Sequence, residues 1–349
     1  MKLLWSSAAA LAIMAGGAQA GAIERSTQSV GILFEEGRYG EFSLSFVSPS
    51  VSGTLGGTPS GDMAPAYLTY SFGYKQDLSD NLAIALILDQ PIGADVSYPT
   101  GGYLFNTSTA ELRSNALTGL LKYRFPSNVS VYGGVRVMRT KGNVSIPFLG
   151  GYTLDASPTT DLGYVVGVAY ERPDIALRVA LTYNSAIDQD FNVTEFGAAT
   201  SVMPVEIPQS VNLEFQTGVA EDTLLFGSIR WVDWTAFQLD PAAYPPATPL
   251  VSYANDVTTY TLGVGRRFNE QWSGAVTIGY EKHHGDPVGN LGPTDGQTSL
   301  GVGATYTQGN VEISGGVRYI WIGDAVTTAG AQFSGNDAIA AGIRVGVKF

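Results

Sequence analysis

The chain ends with Ala338-Ile339-Ala340-Ala341-Gly342-Ile343-Arg344-Val345-Gly346-Val347-Lys348-Phe349. The odd-numbered residues of this stretch are all apolar, and the even-numbered residues are small or positively charged. Successive side chains of a β-strand point to opposite faces, so this alternation predicts a strand with one apolar face. The last residues of a soluble domain usually fray into water, whereas this stretch keeps its pattern up to the aromatic Phe349.

The composition is that of a chain with little charge and much glycine. Charged residues make up 14% of the sequence, compared with about 25% in typical soluble domains. There are 43 glycines, and aromatic residues make up 11%. The net charge of −12 argues against nucleic acid as a partner, because no basic surface is available for phosphates.

Three segments follow from the local patterns. Residues 1–20 have the features of a secretory signal peptide, with Lys2, a mostly apolar run and the cleavage site Ala18-Gln19-Ala20. Residues 21–40 show no clean alternation and are predicted to form a short hatch-like segment that enters or plugs a barrel, with a plain periplasmic tail as the alternative. Residues 41–349 are predicted to form that barrel, since no later stretch is long and apolar enough for a spanning helix.

Alternating stretches recur along residues 41–349. Their connections are short turns, such as Asn269-Glu270, in alternation with long loops, such as residues 235–255. Short turns on one side and long extracellular loops on the other are typical of outer-membrane barrels, as is an even number of strands. The predicted fourteen strands lie at about 41–54, 64–77, 82–94, 111–125, 129–143, 161–172, 174–187, 205–219, 223–234, 256–268, 271–282, 297–307, 310–322 and 338–349.

One face of these strands is apolar and is expected to meet lipid. The opposite face carries the charged residues Lys122, Arg136, Arg178, Glu214, Arg230, Arg267, Glu281, Glu312, Arg318 and Arg344. A charge that faces lipid near the bilayer midplane costs roughly 2–4 kcal/mol, so these residues are predicted to line the lumen. Two roles stay open for them: structural ion pairs, or contact of one or two arginines with an anionic head group. The lumen charges singled out are Arg178, Glu214, Arg230, Arg318 and Arg344.

The third predicted strand contains an interruption. Asp89-Gln90 is followed by Pro91-Ile92-Gly93, and proline removes a donor from the hydrogen-bond ladder. A closed barrel has no edge strand to accommodate a proline, so Pro91, Ile92 and Gly93 predict either a lateral opening in the wall or an ordinary bulge.

Four stretches together resemble the FadL/TodX family of outer-membrane transporters of long-chain fatty acids and other hydrophobic compounds. They are Asp89 to Pro99, Val131-Tyr132-Gly133-Gly134-Val135-Arg136, Pro208-Gln209-Ser210-Val211 and Ile229-Arg230-Trp231-Val232-Asp233-Trp234-Thr235-Ala236-Phe237. The resemblance spans nearly the whole mature chain. It implies a fourteen-strand barrel with an N-terminal hatch, apolar sites under the third and fourth loops, and ligand exit at the third strand. The sequence departs from the family in its shorter hatch, which lacks an Asn-Pro-Ala motif.

The two long loops at residues 144–160 and 188–204 are rich in apolar side chains. These loops either pack on one another or form a collecting site for an apolar ligand, since ligand pockets are concave and mainly apolar. Arg136 is the cation expected to meet an acidic ligand. The predicted ligand-binding residues are Arg136, Phe148, Leu149, Phe191, Phe196 and Met203.

The resulting prediction is passive uptake of long-chain fatty acids or other hydrophobic small molecules across the outer membrane of a Gram-negative bacterium. The alternative is a general diffusion porin for small polar solutes. An enzyme is disfavoured, because the two histidines, His283 and His284, have no identifiable nucleophile partner. No cofactor and no metal are expected. The expected partners are the hydrophobic ligand, outer-membrane lipid and, through the strand ending in Phe349, the barrel-assembly machinery; the barrel is expected to be a monomer.

Overall fold

The computed structural model describes residues 23–246 and 248–349, so the predicted signal peptide lies outside the described residues. Within them the chain forms a closed antiparallel barrel of fourteen strands, in which the last strand pairs with the first. The predicted fold class and strand number are therefore confirmed.

The barrel strands are numbered here in chain order. Three of them, the third, seventh and eighth, consist of two segments. Their bounds are β1 Arg38–Ser50, β2 Tyr67–Asp77, β3 Leu82–Asp89 and Gly93–Ser97, β4 Thr109–Arg124, β5 Val129–Ile146, β6 Tyr152–Arg172, β7 Leu177–Asn184 and Ile187–Glu195, β8 Ala199–Ile207 and Ser210–Ala220, β9 Thr223–Val232, β10 Val257–Arg267, β11 Trp272–Glu281, β12 Gln297–Gln308, β13 Val311–Ile322 and β14 Asp337–Lys348.

Short elements complete the structure. Three are single 3-10 turns, and six are short strands in the connections, which form a four-stranded and a two-stranded sheet. The turns are Gly31–Phe34, Pro173–Ile175 and Trp234–Ala236, and the short strands are Gly53–Leu55, Thr58–Pro59, Gln238–Leu239, Val251–Ser252, Ala325–Val326 and Gln332–Phe333. No helix among the described residues is long and apolar enough to cross a membrane.

The alternation in the sequence sorts the side chains between the two faces of the wall. In β14 the side chain of Ile343 is 45% exposed on the outer face, whereas the next residue, Arg344, is 2% exposed in the lumen. The same holds for β6, where Leu162 and Tyr164 are exposed and Val165 is buried. At these positions the outer wall is apolar, and all ten charged residues predicted for the lumen are buried or half-buried.

The barrel has a turn end and a loop end. Both ends of the barrel sheet, Arg38 and Lys348, lie at the turn end, together with short connections such as Leu78–Asn81. Two of the expected long loops are mostly strand: β5 and β6 continue to Ile146 and Tyr152, and β7 and β8 continue to Glu195 and Ala199. The expectation of loops at 144–160 and 188–204 is therefore wrong for all but their short tips.

The segment Ile23–Gly37, called the hatch from here on, runs through the lumen. Its apolar residues Val30, Ile32 and Leu33 are buried against inward-facing residues such as Leu120 and Val165 of the wall. Its polar residues bond to the wall as well, since Ser29 Oγ donates a hydrogen bond of 2.6 Å to Glu214. The hatch contacts opposite parts of the wall, since Glu24 pairs with Arg230 of β9 and the Glu35 carbonyl accepts a hydrogen bond of 2.5 Å from Lys75 of β2.

Candidate functional site

An apolar cavity of about 210 Å³ lies at the loop end of the lumen, directly above the hatch. The upper segments of β6, β7 and β8 supply Leu154, Phe191, Met203, Val205 and Ile207, and the hatch supplies the floor with Ile23, Glu24 and Arg25. An apolar cavity of about 150 Å³ is enough to admit benzene. This space, called the main cavity below, is therefore large enough for a ring or a folded alkyl chain.

Two of the predicted ligand residues line the main cavity. Phe191 and Met203 face each other on β7 and β8 and are each 3% exposed. Leu149 packs against the same apolar core without lining the cavity. Phe148 and Phe196 are 39% and 43% exposed at the strand tips. Phe148 packs edge-on against Phe105, and Phe196 packs edge-on against Tyr152.

Arg136 lies outside the lining of the main cavity. It is buried in the wall of the lumen, where its Nε donates a hydrogen bond of 2.9 Å to Thr118 Oγ1 of the adjacent strand. Its charge faces Asp89 and Arg230. This position belongs to the polar contacts around the hatch, so the structure does not bring Arg136 to the apolar site.

The third strand breaks at the predicted position. Below the break, β3 pairs with β2 from Ala83 to Leu88, and above it Gly93–Ser97 pairs only with β4. The stretch Tyr67–Ser71 of β2 consequently has no strand partner on this side. We call the space between Tyr67–Ser71 and Gly93–Ser97 the wall gap.

Two hydrogen bonds mark the ends of the wall gap. At the loop end, the Ser97 N–H donates to the Met63 carbonyl at 2.9 Å. At the turn end, the Tyr70 N–H donates to the Gln90 side chain at 3.1 Å. Met63, Tyr67, Gly93 and Ala94 around the gap also line the main cavity. The apolar cavity thus reaches the break in the wall.

The kink itself is paired with the hatch. The Pro91 carbonyl accepts a hydrogen bond of 2.8 Å from the Arg25 N–H, and the Gly93 N–H donates one of 2.8 Å to the Ile23 carbonyl. Ile92 forms a single antiparallel bridge with Glu24. The missing ladder bonds of the wall are therefore replaced by bonds to the N-terminal segment, which lies inside it.

The Arg25 side chain connects the two sides of the wall gap. Its guanidinium carbon lies 3.2 Å above the centre of the Tyr67 ring of β2, and Nη2 donates a hydrogen bond of 3.1 Å to Asp95 of β3. Asp95 also accepts a hydrogen bond of 2.5 Å from Arg113. Burial lowers the pKa of Arg25, and Tyr67 and Asp95 oppose that shift. The gap is thus bridged by a desolvated cation.

The predicted lumen charges occupy three kinds of environment. Arg230 and Arg344 are buried and paired with Glu24 and Glu41, respectively. The guanidinium carbon of Arg178 lies 4.7 Å from the ring centre of Phe34 in the hatch. Glu214 accepts the bond from the hatch described above. Arg318 faces a second, smaller cavity.

Most residues that line the main cavity, including Tyr67, Leu112, Val205 and Ile320, were not predicted from the sequence. A sequence signal was present for the upper part of β7, where the polar Asp188, Asp190 and Asn192 alternate with residues that are apolar except for Gln189. The N-terminal residues Ile23, Glu24 and Arg25 had no such signal.

The two histidines lie in the connection between β11 and β12. The Nδ1 atom of His283 is 3.0 Å from Asp295 Oδ2, and the His284 N–H donates to the same carboxylate at 3.0 Å. Among residues 23–246 and 248–349, no group of three or more potential ligands could hold a metal ion.

The closed fourteen-strand barrel resembles several solved structures. A Pseudomonas aeruginosa FadL homologue is 14% identical, with a TM-score of 0.75 over 98% of both chains. The Pseudomonas putida toluene transporter TodX is 14% identical, with a TM-score of 0.70 over 96% of this chain and 98% of that chain. The Ralstonia pickettii toluene transporter TbuX is 16% identical, with a TM-score of 0.66 over 91% of this chain and 90% of that chain. These likenesses confirm the predicted resemblance at the level of the fold.

No protein-family model and no curated protein matches the sequence.

Proposed function

We propose that this protein is an outer-membrane channel for the passive uptake of hydrophobic small molecules, such as long-chain fatty acids. The ligand enters from the loop end, which faces the outside of the cell, and occupies the main cavity. It then leaves sideways through the wall gap into the outer-membrane lipid. This proposed uptake includes no catalysed reaction.

The observation that carries the proposal is the continuity between the main cavity and the break in β3. Met63, Tyr67, Gly93 and Ala94 belong both to the lining of the cavity and to the border of the gap. An apolar ligand in this cavity is therefore next to the one place where β2 and β3 are not joined by ladder bonds.

The physical direction of transport follows from the hydrophobic effect. Leaving apolar surroundings for periplasmic water costs about 25 cal/mol per Å² of apolar surface. The downward route is also obstructed, because the hatch contacts the wall with Val30, Ile32 and Leu33. A sideways step from the cavity into lipid exposes little apolar surface to water and is favoured.

The similar solved structures support a class of transported compound but no single compound. TodX and TbuX are described as toluene transporters, and another structure of the same fold is described as a FadL homologue. A main cavity of about 210 Å³ could hold either an aromatic ring or part of an alkyl chain. Hydrophobic small molecules are the class common to both.

The first experiment compares cells of a Gram-negative host that carry this chain with cells that carry an empty vector. We expect the chain to fractionate with the outer membrane, to run as a heat-modifiable band and to increase the uptake of labelled 1-dodecanol and dodecanoate. Uptake of a small polar solute, for which labelled arabinose serves as the probe, should not change.

The opposite result favours the alternative. If arabinose uptake rises and dodecanol uptake does not, the barrel is a general diffusion porin and the proposed function is wrong. Fractionation with the inner membrane or with the soluble periplasm contradicts both functions. Mass spectrometry of compounds retained by the purified barrel then names the ligand if the hydrophobic uptake is found.

A further inference from the structure

Whereas Arg178, the other half-buried lumen arginine without an ion pair, lies against the Phe34 ring, Arg318 has no such contact among the described residues. Its side chain is half-buried on the inward face of β13, between the buried Ser314 and Ile320. In the described part of the chain it makes no hydrogen bond or ion pair, whereas Arg230 and Arg344 are each paired with a glutamate. A half-buried guanidinium without an anion is an unusual feature, because a desolvated charge is costly unless it is paired.

Within the described part of the chain, no carboxylate lies within ion-pair distance of the Arg318 guanidinium, unlike those of Arg230 and Arg344. The acid on its own strand, Glu312, lies six positions nearer the turn end, which is about 20 Å along an antiparallel strand.

The guanidinium faces a second cavity, of about 30 Å³, called the lower cavity here. The two side chains with hydroxyl groups in its lining are Ser45 and Thr277, and apart from Arg318 the remaining lining is apolar or glycine. The glycines keep this space open, since a Cβ atom at Gly301 would lie 2.6 Å from Thr277 Oγ1 and 3.6 Å from Arg318 Nε. The lower cavity therefore offers one cation and two hydroxyl donors, with no carboxylate in its lining.

The size of the lower cavity sets what it can hold. A water molecule needs about 10–15 Å³ by the same measure of volume. A space of about 30 Å³ can therefore hold a small anionic group, such as a carboxylate, but not an alkyl chain or a ring.

The lower cavity lies next to the main cavity along the same strands. Ile320 and Ala338 line the main cavity, and the next inward residues on the two strands, Arg318 and Ala340, line the lower one. Two residues along an antiparallel strand correspond to about 7 Å. Val47 lines both cavities. A molecule with an apolar tail and a small head could therefore occupy both at once.

We propose that Arg318 binds the carboxylate head of an anionic amphiphile whose apolar tail occupies the main cavity. The guanidinium presents two parallel N–H donors to the carboxylate, and Ser45 and Thr277 can donate to its oxygens. The inference deepens the proposed function and rests on it, because the tail site is the main cavity. It gives acidic ligands a site that neutral ligands of the same length do not use.

The test compares the binding of dodecanoate and 1-dodecanol to the purified full-length barrel in amphipol at pH 8, where dodecanoate is ionised. In Arg318→Gln, the Kd for dodecanoate should rise about tenfold, which corresponds to about 1.4 kcal/mol, and the Kd for dodecanol should stay within about twofold. Arg318→Lys should retain part of the preference for dodecanoate. The control, Arg178→Gln, removes the same charge from the lumen at the hatch and should not change the ratio of the two Kd values.

Each outcome has a defined meaning. If the two ligands weaken equally in Arg318→Gln, or if Arg178→Gln changes the ratio as much, Arg318 is not the head-group site. Dodecanol binding to the unaltered protein then still supports the main cavity. If neither compound binds the unaltered protein, the proposed function fails together with this inference. Heat-modifiable migration of each variant shows that its barrel has folded.

Discussion

Arg230 on β9 donates a hydrogen bond of 2.6 Å from its Nε atom to Oε1 of Glu24 in the hatch, a residue 206 positions earlier in the chain. Both side chains are nearly fully buried, at 6% and 5% exposure. The same guanidinium donates hydrogen bonds to Ser210 and to the Gln28 side chain of the hatch. This cluster holds the start of the hatch beneath the main cavity.

Removing one member of this pair should loosen the hatch without unfolding the barrel. Arg230→Met leaves the Glu24 carboxylate buried and without its main partner, and such a loss typically costs about 3–5 kcal/mol. Amide hydrogen exchange in residues 23–36 should therefore become faster by on the order of a hundredfold or more. Exchange in β14, far along the chain from the cluster, should stay unchanged.

The double variant Glu24→Gln/Arg230→Met provides the control for this prediction. It removes both charges together, so exchange in the hatch should return part of the way toward that of the unaltered protein. An Arg230→Met variant with an unchanged hatch would show that the ion pair does not hold this segment.

Arg25 is expected to slow the passage of ligands through the wall gap. Arg25→Met removes the contact with the Tyr67 ring and the ion pair with Asp95, and a cation–π contact alone is worth about 1 kcal/mol. Uptake of labelled dodecanol should therefore rise about fivefold. Arg113→Met also removes a partner of Asp95 but leaves the bridge to Tyr67 in place, so it should change uptake little. Slower uptake in Arg25→Met would mean that this residue guides ligands instead of retaining them.

Filling the main cavity should block transport. Met203 is 3% exposed and lines the cavity, and Val202, the preceding residue of β8, is 58% exposed on the other face. Met203→Trp should reduce dodecanol binding and uptake at least tenfold, because the indole takes up space that the ligand needs. Val202→Trp places the same side chain outside and should leave both unchanged. Equal behaviour of the two variants would place the ligand elsewhere.

Arg136 should affect acidic and neutral ligands alike. It contacts Thr118 and faces Asp89, which accepts a hydrogen bond from Ser26 of the hatch, and it does not line the main cavity. Arg136→Met should therefore reduce uptake of dodecanoate and dodecanol by the same factor, if it reduces uptake at all. A selective loss of dodecanoate uptake would contradict this expectation and would support the sequence-based prediction that Arg136 binds the acidic head group.

Much of the barrel could be predicted from the sequence, because each strand of a membrane barrel has an apolar side that faces lipid and a more polar side that faces the lumen. Ile343 and Arg344 illustrate this, since an arginine on the lipid face would be strongly disfavoured and its position therefore reveals the lumen. The broken β3 could be predicted for a related reason, because Pro91 lacks the N–H that the ladder requires.

The site could be predicted only in part. Phe191 and Met203 were found because apolar side chains in exposed connections are uncommon, but Phe148 and Phe196 shared that signal and lie at the tips. The bridge from Arg25 to Tyr67 and Asp95 joins residues far apart in the chain, and no local pattern encodes it. Arg136 and Arg318 both point inward from their strands. They differ in whether a neighbouring strand supplies a hydrogen-bond partner, and the sequence does not show this.

If ligands leave through the wall gap, sealing the gap must stop their uptake. Replacing Pro91-Ile92-Gly93 with Val-Thr-Val restores the missing N–H donor and the side chains of a regular strand, so β3 can pair with β2 along its length. Pro49→Val serves as the control, because it removes a proline from the cavity lining in β1, a strand without a break. Each variant is expressed at a matched level in the outer membrane, and its fold is checked by heat-modifiable migration.

The decisive measurement is the initial rate of labelled 1-dodecanol uptake by cells that carry the sealed variant. We expect a loss of at least tenfold relative to the parent, with Pro49→Val close to the parental rate. Uptake at the parental rate by a sealed and correctly folded barrel would contradict lateral exit. It would indicate that the ligand passes the hatch and leaves through the lumen.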